Sequence, residues 1–437
     1  MRAGRGGRYV PGTMPVTPPP VDTAQHLATH FILHLAKALH AHGYPAHRLE
    51  DVLGTVAARL GVEAQFFTTP TSIFAGFGAP DAQRTHLLRV QPGEPNLGHL
   101  SRLDAIMSAV VDGRITASDG SVRIGRLLAE PPRWSRPQTL VAFVLASAAV
   151  SCFFGVTAVE ALVASGLGLV AGLCALMAGQ VRGLAPVLEP FTAAIVATLA
   201  FLVAGVTGSG NAYQTTLAGL IVLLPGLTFT IGLTELSTRH LASGTARLAG
   251  ALVTFLGLGF GVALGAKAGS LSAAALAEAG VAWTVTTVRV PAWTEGAAVL
   301  VAPLCFAVLL RAERRDAWWI LVAGAAAYGT ARFAGRAMGE ELGAFLGALL
   351  VSAGSNLLER WRRVAAMVTQ VPGLLILVPG GIGFRSVTSL LGNETVAGID
   401  TAFRVALVGI SLAAGILAGN VVTGLAKPEF AERERDG

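Results

Sequence analysis

Beyond Arg136 the sequence runs in apolar stretches, each near the ~20 residues that a helix rising ~1.5 Å per residue needs to cross a ~30 Å hydrocarbon core. Ten are read: Gln138 to Gly155, Val159 to Ala178, Pro190 to Val206, Tyr213 to Leu233, Ala246 to Leu264, Gly296 to Leu310, Trp318 to Phe333, Leu342 to Leu357, Val364 to Val378 and Thr401 to Leu425. Such a chain cannot give itself a water-facing surface. Only 13% of its 437 residues are charged, against about a quarter in soluble domains, and the mean hydropathy is +0.62. An ordinary soluble enzyme is excluded, and the fold class is a predominantly α membrane protein whose first partner is the lipid bilayer.

The first 136 residues differ. They hold 14 of the 32 Lys/Arg and 10 of the 26 Asp/Glu. Residues 1–22, rich in Pro and Gly and without an apolar run, read as a disordered leader that is not a signal peptide. Residues 23–136 read as a small cytoplasmic α/β domain. Gln25 to Ala41 is amphipathic, with Leu27, Phe31, Leu35 and Leu39 on one face, and Gly43-Tyr44-Pro45 ends it. A second helix runs to Leu60, followed by short strands at Ala64–Thr68, Ser72–Phe77 and Thr85–Val90 and a helix from Leu100 to Val111.

Loop charge sets the orientation. With the N-terminus in the cytoplasm, twelve of the eighteen membrane-part Lys/Arg fall on that side, among them Arg239, Arg247, Arg314 and Arg362, so both termini are expected there. The membrane part also reads as a duplication. Pro225-Gly226-Leu227 recurs as Pro372-Gly373-Leu374, 147 residues on, and the spans opening at Thr245 and Thr401 resemble each other at an offset of 156. An odd unit of five spans would invert the second copy, which gives repeats over 137–266 and 294–426, an extracytoplasmic connection over 267–293 and a charged tail over 427–437.

Proline and glycine inside a span free backbone groups at membrane depth, where they must meet protein, water or ligand. This makes Pro225, Gly226, Pro372, Gly373 and Pro379 candidate substrate contacts; a packing kink is the alternative. Thr228 and Thr230 follow the first break and could offer hydroxyls, or bond back to their own helix. Asn356 is a further polar candidate. Glu160 opens the second span with no basic residue in the preceding loop, and Glu235 lies beside Arg239. Either carboxyl could carry a proton, or serve as a helix-end or interfacial charge.

His26, His30 and His34 recur on one helical face. A solvated face, a pH sensor and a metal site are all compatible with that spacing, but no HExxH and no intervening acid accompany it. No cofactor and no metal are therefore assigned. Cys152, Cys174 and Cys305 sit in apolar runs, without metal-ligand or disulfide spacing. The basic charges lack interleaved aromatics, so no nucleic-acid partner is expected.

GYPAHRLEDVL at Gly43, QFFTTPTSIFAGFG at Gln65, VQPGEPNLGHL at Val90, LLPGLTFTIGLTELSTRHLASGTARLAGAL at Leu223 and VPGLLILVPGGIGFRS at Val371 resemble the signature stretches of the threonine/serine exporter family. The resemblance implies a ten-span inner-membrane carrier with a cytoplasmic N-terminal domain, exporting threonine or serine on the proton-motive force. It matches His47, Arg48, Glu50, Pro225, Gly226, Glu235, Arg239, Pro372, Gly373 and Pro379, while Glu160 stands where the family more often has Asp. Relatives split into two chains are associated with dicarboxylate export, so a succinate-type substrate stays open. So do a membrane-anchored hydrolase using His47, Arg48 and Glu50, a passive channel, and homo-oligomerisation.

Overall fold

The computed structural model describes residues 23–424 except Pro80, Pro92, Glu94, Arg182, Leu184, Ser209, Thr284, Thr286, Arg363, Pro379 and 392–394. The expected leader and charged tail lie outside the described residues.

The N-terminal part opens with α1 (Thr23–Ala41) and α2 (Ala46–Arg59). An antiparallel three-stranded meander follows, β1 (Ala64–Thr69), β2 (Ser72–Phe77) and β3 (Arg84–Arg89), then α3 (Leu97–Val111) and α4 (Ala117–Leu128). The amphipathic stripe of α1 works as its spacing predicts, since Phe31, Leu35 and Leu39 are buried, although Leu27 at the open end is exposed. Strand alternation turns Ile73, Ala75 and Phe77 inward. Asn96 starts α3 by accepting the His99 amide at 3.0 Å. The amphipathic α4 is an element the sequence reading did not include.

This α/β unit shares its core with the membrane part. Ala312, Ile320, Met367 and Val371 belong to the same apolar cluster as Phe31, Leu53 and Leu103. The Leu97 amide donates to the Leu310 carbonyl at 2.9 Å, and the Trp134 indole N–H to the Ala312 carbonyl at 3.0 Å.

The remaining helices are α5 (Arg136–Phe153), α6 (Ala158–Ala178), α7 (Leu188–Thr207), α8 (Ala212–Leu220), α9 (Gly226–Ser237), α10 (Leu241–Glu278), α11 (Trp293–Leu309), α12 (Ala317–Met338), α13 (Glu340–Arg362), α14 (Ala366–Leu377), α15 (Gly380–Leu391) and α16 (Thr395–Val422). Among the described residues six helices are long and apolar enough to cross a membrane, or seven if α8, its 3₁₀ extension and α9, bent by 60°, count as one span. The sequence reading gave ten. The difference lies in short or broken pieces: α11 and α14 fall below the length of a full crossing, and α12 carries Arg332 and Arg336 near its end.

Two blocks of helices repeat one plan. The starts of α8 and α14, α9 and α15, and α10 and α16 each stand 154 residues apart. In this register Pro225-Gly226 corresponds to Pro379-Gly380. The recurrence at Pro372-Gly373 is seven residues out of step, because α14 continues through it. Packing repeats as well: α7 lies on α10 and α13 on α16. Both contacts need glycine. A Cβ on Gly261 or Gly265 would stand 2.2 Å from a carbonyl of α7, and one on Gly415 would stand 2.4 Å from the Phe345 carbonyl of α13.

Candidate functional site

The two interrupted helices meet at their interruptions. Leu224 is extended, Pro225 cannot donate, and α9 begins at Gly226 without a side-chain cap. Val378, extended in the same way, ends α14, and α15 begins at Gly380. A Cβ on Gly226 would stand 2.1 Å from Cγ1 of Val378 and 3.4 Å from Cα of Gly380, so the two chains pass backbone to backbone. The amide-rich starts of α9 and α15 thus come together, and helix starts favour negative charge. Pro225 and Gly226 are therefore placed against the second break. Pro372 and Gly373 lie inside α14, where Gly373 faces Val351 of α13. Pro379 lies outside the described residues.

The threonines divide. Thr230 is buried and donates to its own helix, to the Gly226 carbonyl at 3.1 Å, as Thr234 does to the Thr230 carbonyl at 2.9 Å. Thr228 is half-buried, and its hydroxyl has no hydrogen bond among the described residues.

Glu235 is fully buried and joins three elements. Arg247 Nε donates to both of its oxygens at 3.1 Å, Ser243 Oγ donates at 2.7 Å, and the Ala46 amide at the start of α2 donates at 2.9 Å. Pro45 cannot cap α2 and the first turn of α2 has no acid, so the membrane part supplies the missing acceptor. The turn that permits this ends α9 with Arg239 at φ 64, and the His240 amide bonds to the Glu235 carbonyl at 2.8 Å. α10 then doubles back and brings Arg247 over Glu235. Around this point Glu50 meets His240 at 3.4 Å, and the rings of His47 and His240 stand 6.0 Å apart. Burial first, then the charges of Arg48, His240 and Arg247, pushes His47 down to about 3. Sequence reasoning missed the Arg247 pairing; twelve residues separate it from Glu235, which only a sharp turn can close.

Asn356 sits in a buried polar cluster. Its Nδ2 donates to Asn420 Oδ1 at 2.9 Å and to Thr423 Oγ1 at 3.0 Å, while its own Oδ1 is buried without a partner among the described residues. Ser352 Oγ and Arg48 Nη2 also donate to Asn420 Oδ1, each at 3.1 Å. Gln370 joins through Ser352 at 3.2 Å. Arg48 was legible as a residue of note, but its partners were not.

Glu160 lies elsewhere, at the far end of α8 from the break, about 20 Å of helix away. Its Oε2 takes the Thr157 amide at 2.7 Å and hydroxyl at 2.8 Å in a capping box, and its Oε1 takes the Asn211 amide at 2.6 Å. These bonds fasten the starts of α6 and α8 together. A cleft between α6, α7 and α8, lined by Glu160, Thr207, Asn211 and Thr215, opens beside it.

The histidine face of α1 is partly covered. His30 meets Ser121 of α4 at 3.4 Å and His34 edge-on at 6.0 Å, and burial lowers His34. Among the described residues no three His, Cys, Asp or Glu side chains are placed to share a metal ion.

Residues 30–268 match the family model described as "Putative threonine/serine exporter", and residues 295–422 match that described as "Threonine/Serine exporter, ThrE". Similar proteins include the pheromone-regulated membrane protein 10 of Debaryomyces hansenii, 27% identical over 379 residues covering 84% of this chain and 37% of the relative. That of Candida albicans is 27% identical over 392 residues, covering 86% and 34%. That of Eremothecium gossypii is 27% identical over 375 residues, covering 84% and 50%. The chain thus spans between about a third and a half of the length of these relatives. No solved structure matches it.

Proposed function

The chain belongs to the threonine/serine exporter family, and from that premise we propose that it is a secondary carrier exporting small polar amino acids, threonine and serine foremost, on the proton-motive force. It sits in the plasma membrane with both ends in the cytoplasm. It makes ten crossings in two inverted five-helix repeats, with α8–α9 and α14–α15 each forming one broken crossing. The shared 154-residue register and the paired α7–α10 and α13–α16 contacts support that plan.

One observation carries the reading: the backbone contact of Gly226 with Val378 and Gly380. Two broken helices whose second halves start side by side gather unpaired amides, a site for a substrate carboxylate, and give a hinge that two repeats can rock about. Pro225, Gly226, Thr228 and Gly380 flank this substrate position; Thr230, Pro372 and Gly373 shape it from behind. Glu235 is the coupling carboxyl, because its partners come from α2 and α10 and release it when those elements part. Glu160 fixes the outer ends of α6 and α8. His47, Arg48 and Glu50 each meet a residue of the membrane part, an arrangement suited to docking.

The test is efflux of labelled threonine, serine and succinate from proteoliposomes, with and without an imposed pH gradient, and counterflow with unlabelled substrate. Gradient-stimulated efflux of threonine or serine with counterflow is expected. Succinate efflux alone would transfer the reading to dicarboxylates; flux without counterflow would make the protein a channel.

A further inference from the structure

The polar cluster between α13 and α16 is built with its donors and acceptors out of balance. The Arg48 guanidinium and the Asn356 amide both donate to the single oxygen Oδ1 of Asn420, at 3.1 and 2.9 Å, and the Ser352 hydroxyl stands 3.1 Å from it with its one proton shared between that oxygen and the Ile416 carbonyl, also at 3.1 Å. A neutral amide oxygen has two lone pairs, whereas a carboxylate offers about four acceptor positions and binds guanidinium more strongly. A few ångströms away the balance reverses. Among the described residues Asn356 Oδ1 is buried with no donor, and an acceptor left so has a desolvation cost that a ligand would remove. Glu359, three residues on along the same face of α13, accepts a hydrogen bond from the Ala366 main chain and lies within electrostatic reach of Arg48. The cluster therefore offers gathered donors beside an unanswered acceptor and a carboxylate, the complement of an α-amino acid's carboxylate and ammonium.

Its place in the fold is as telling. Asn356, Glu359 and Asn420 lie toward the ends of α13 and α16 that meet the N-terminal domain, and that domain supplies the guanidinium. We infer that this cluster is an entry subsite for the amino acid, in which Arg48 and the donors now on Asn420 take the carboxylate while Asn356 Oδ1 and Glu359 receive the ammonium. The inference rests on the exporter reading. It makes the N-terminal domain part of the substrate path, and it sets the site's specificity by charge at both ends of the ligand.

The experiment uses the full chain in nanodiscs, binding labelled threonine in competition with unlabelled threonine and with threoninol, which keeps the amine and hydroxyl but lacks the carboxylate. The wild-type protein should prefer threonine strongly. Arg48→Gln should weaken threonine by about 30-fold, as expected when a charge-assisted pair is lost, while leaving threoninol within about threefold, so that the preference collapses; Arg48→Lys should restore part of it. Asn420→Asp, nearly isosteric, places a carboxylate where the Arg48 and Asn356 donors meet. It should weaken threonine binding without lowering the melting temperature. Equal losses for both ligands in Arg48→Gln, or undiminished threonine binding in Asn420→Asp, would overturn the subsite. Wild-type protein that binds neither threonine nor serine would instead overturn the exporter reading, and the subsite with it.

Discussion

The main-chain amide of Ala46 donates to the buried carboxylate of Glu235 at 2.9 Å, across 189 residues of sequence. The first turn of α2 in the N-terminal domain is thereby capped by α9. Movement of α9 or α10 must pull on α2, and a charge change at Glu235 must be felt in the N-terminal domain.

Glu235→Gln should therefore abolish stimulation of efflux by a pH gradient while sparing substrate exchange, which needs no net proton movement. The variant also leaves the Arg247 guanidinium buried without its charge partner, at a cost of roughly 3 kcal/mol or more. Arg247→Met on that background should recover part of the melting temperature but not the coupling. Gradient-driven accumulation by Glu235→Gln would remove the residue from the proton path.

Acid should loosen the N-terminal domain. His47 binds a proton near 6.5 when unfolded but only near 3 in place. Above pH 6.5 neither state is protonated. As pH falls from there toward 3 the unfolded state alone takes up the proton, so stability is lost, by up to ~1.4 kcal/mol per pH unit for one group. Asp104 acts with the opposite sign: burial raises it from 3.8 to about 6, so its penalty is present above pH 6 and fades as pH falls toward 3.8. His47→Gln should flatten the loss of melting temperature between pH 6.5 and 4.5, and Asp104→Asn should raise the melting temperature at pH 7.5. An unchanged slope in His47→Gln would mean that His47 is not the group resisting protonation.

At the crossing of the broken helices, Gly226→Ala places a methyl 2.1 Å from Val378 Cγ1. The two breaks must separate, and transport should fall by about tenfold or more. Val378→Ala removes the obstructing methyl and should recover much of the rate in the double variant. Gly250→Ala, with open space around it, is the control. Equal rates for Gly226→Ala and the control would show that the contact is not used in transport.

For Glu160 the geometry foretells a structural effect. Gln can keep one acceptor oxygen, so at least one of the Thr157 and Asn211 donors loses its partner, costing about 1–3 kcal/mol. Glu160→Gln should lower the melting temperature yet retain coupling. Loss of gradient stimulation with exchange intact would instead make it the proton carrier.

The orientation is tested with single cysteines after replacing Cys152, Cys174 and Cys305. Cysteines at Arg314 and Arg362 should resist an impermeant thiol reagent added outside, and one at Glu340 should react. Outside labelling at Arg314 would reverse the topology.

Apolar run length, helical stripes and turn residues act locally, and they alone determined that this chain is a mostly helical membrane protein, the elements of the N-terminal sheet and most of its helices, and the break at Pro225-Gly226. Signature stretches carried the family in the same way. The partners could not be read there. That α14 runs on through Pro372, that the second interruption falls at the α14–α15 junction, and that Gly226 touches Val378 depend on how separate helices pack. Glu235 reads as a proton carrier or an interfacial charge, with no partner named, until the left-handed turn at Arg239 brings Arg247 onto it, and Arg48 as a domain residue until it reaches Asn420. Propensity and hydropathy are properties of neighbours in the chain. Hydrogen bonds spanning 189 and 372 residues exist only once the tertiary fold has brought their ends together.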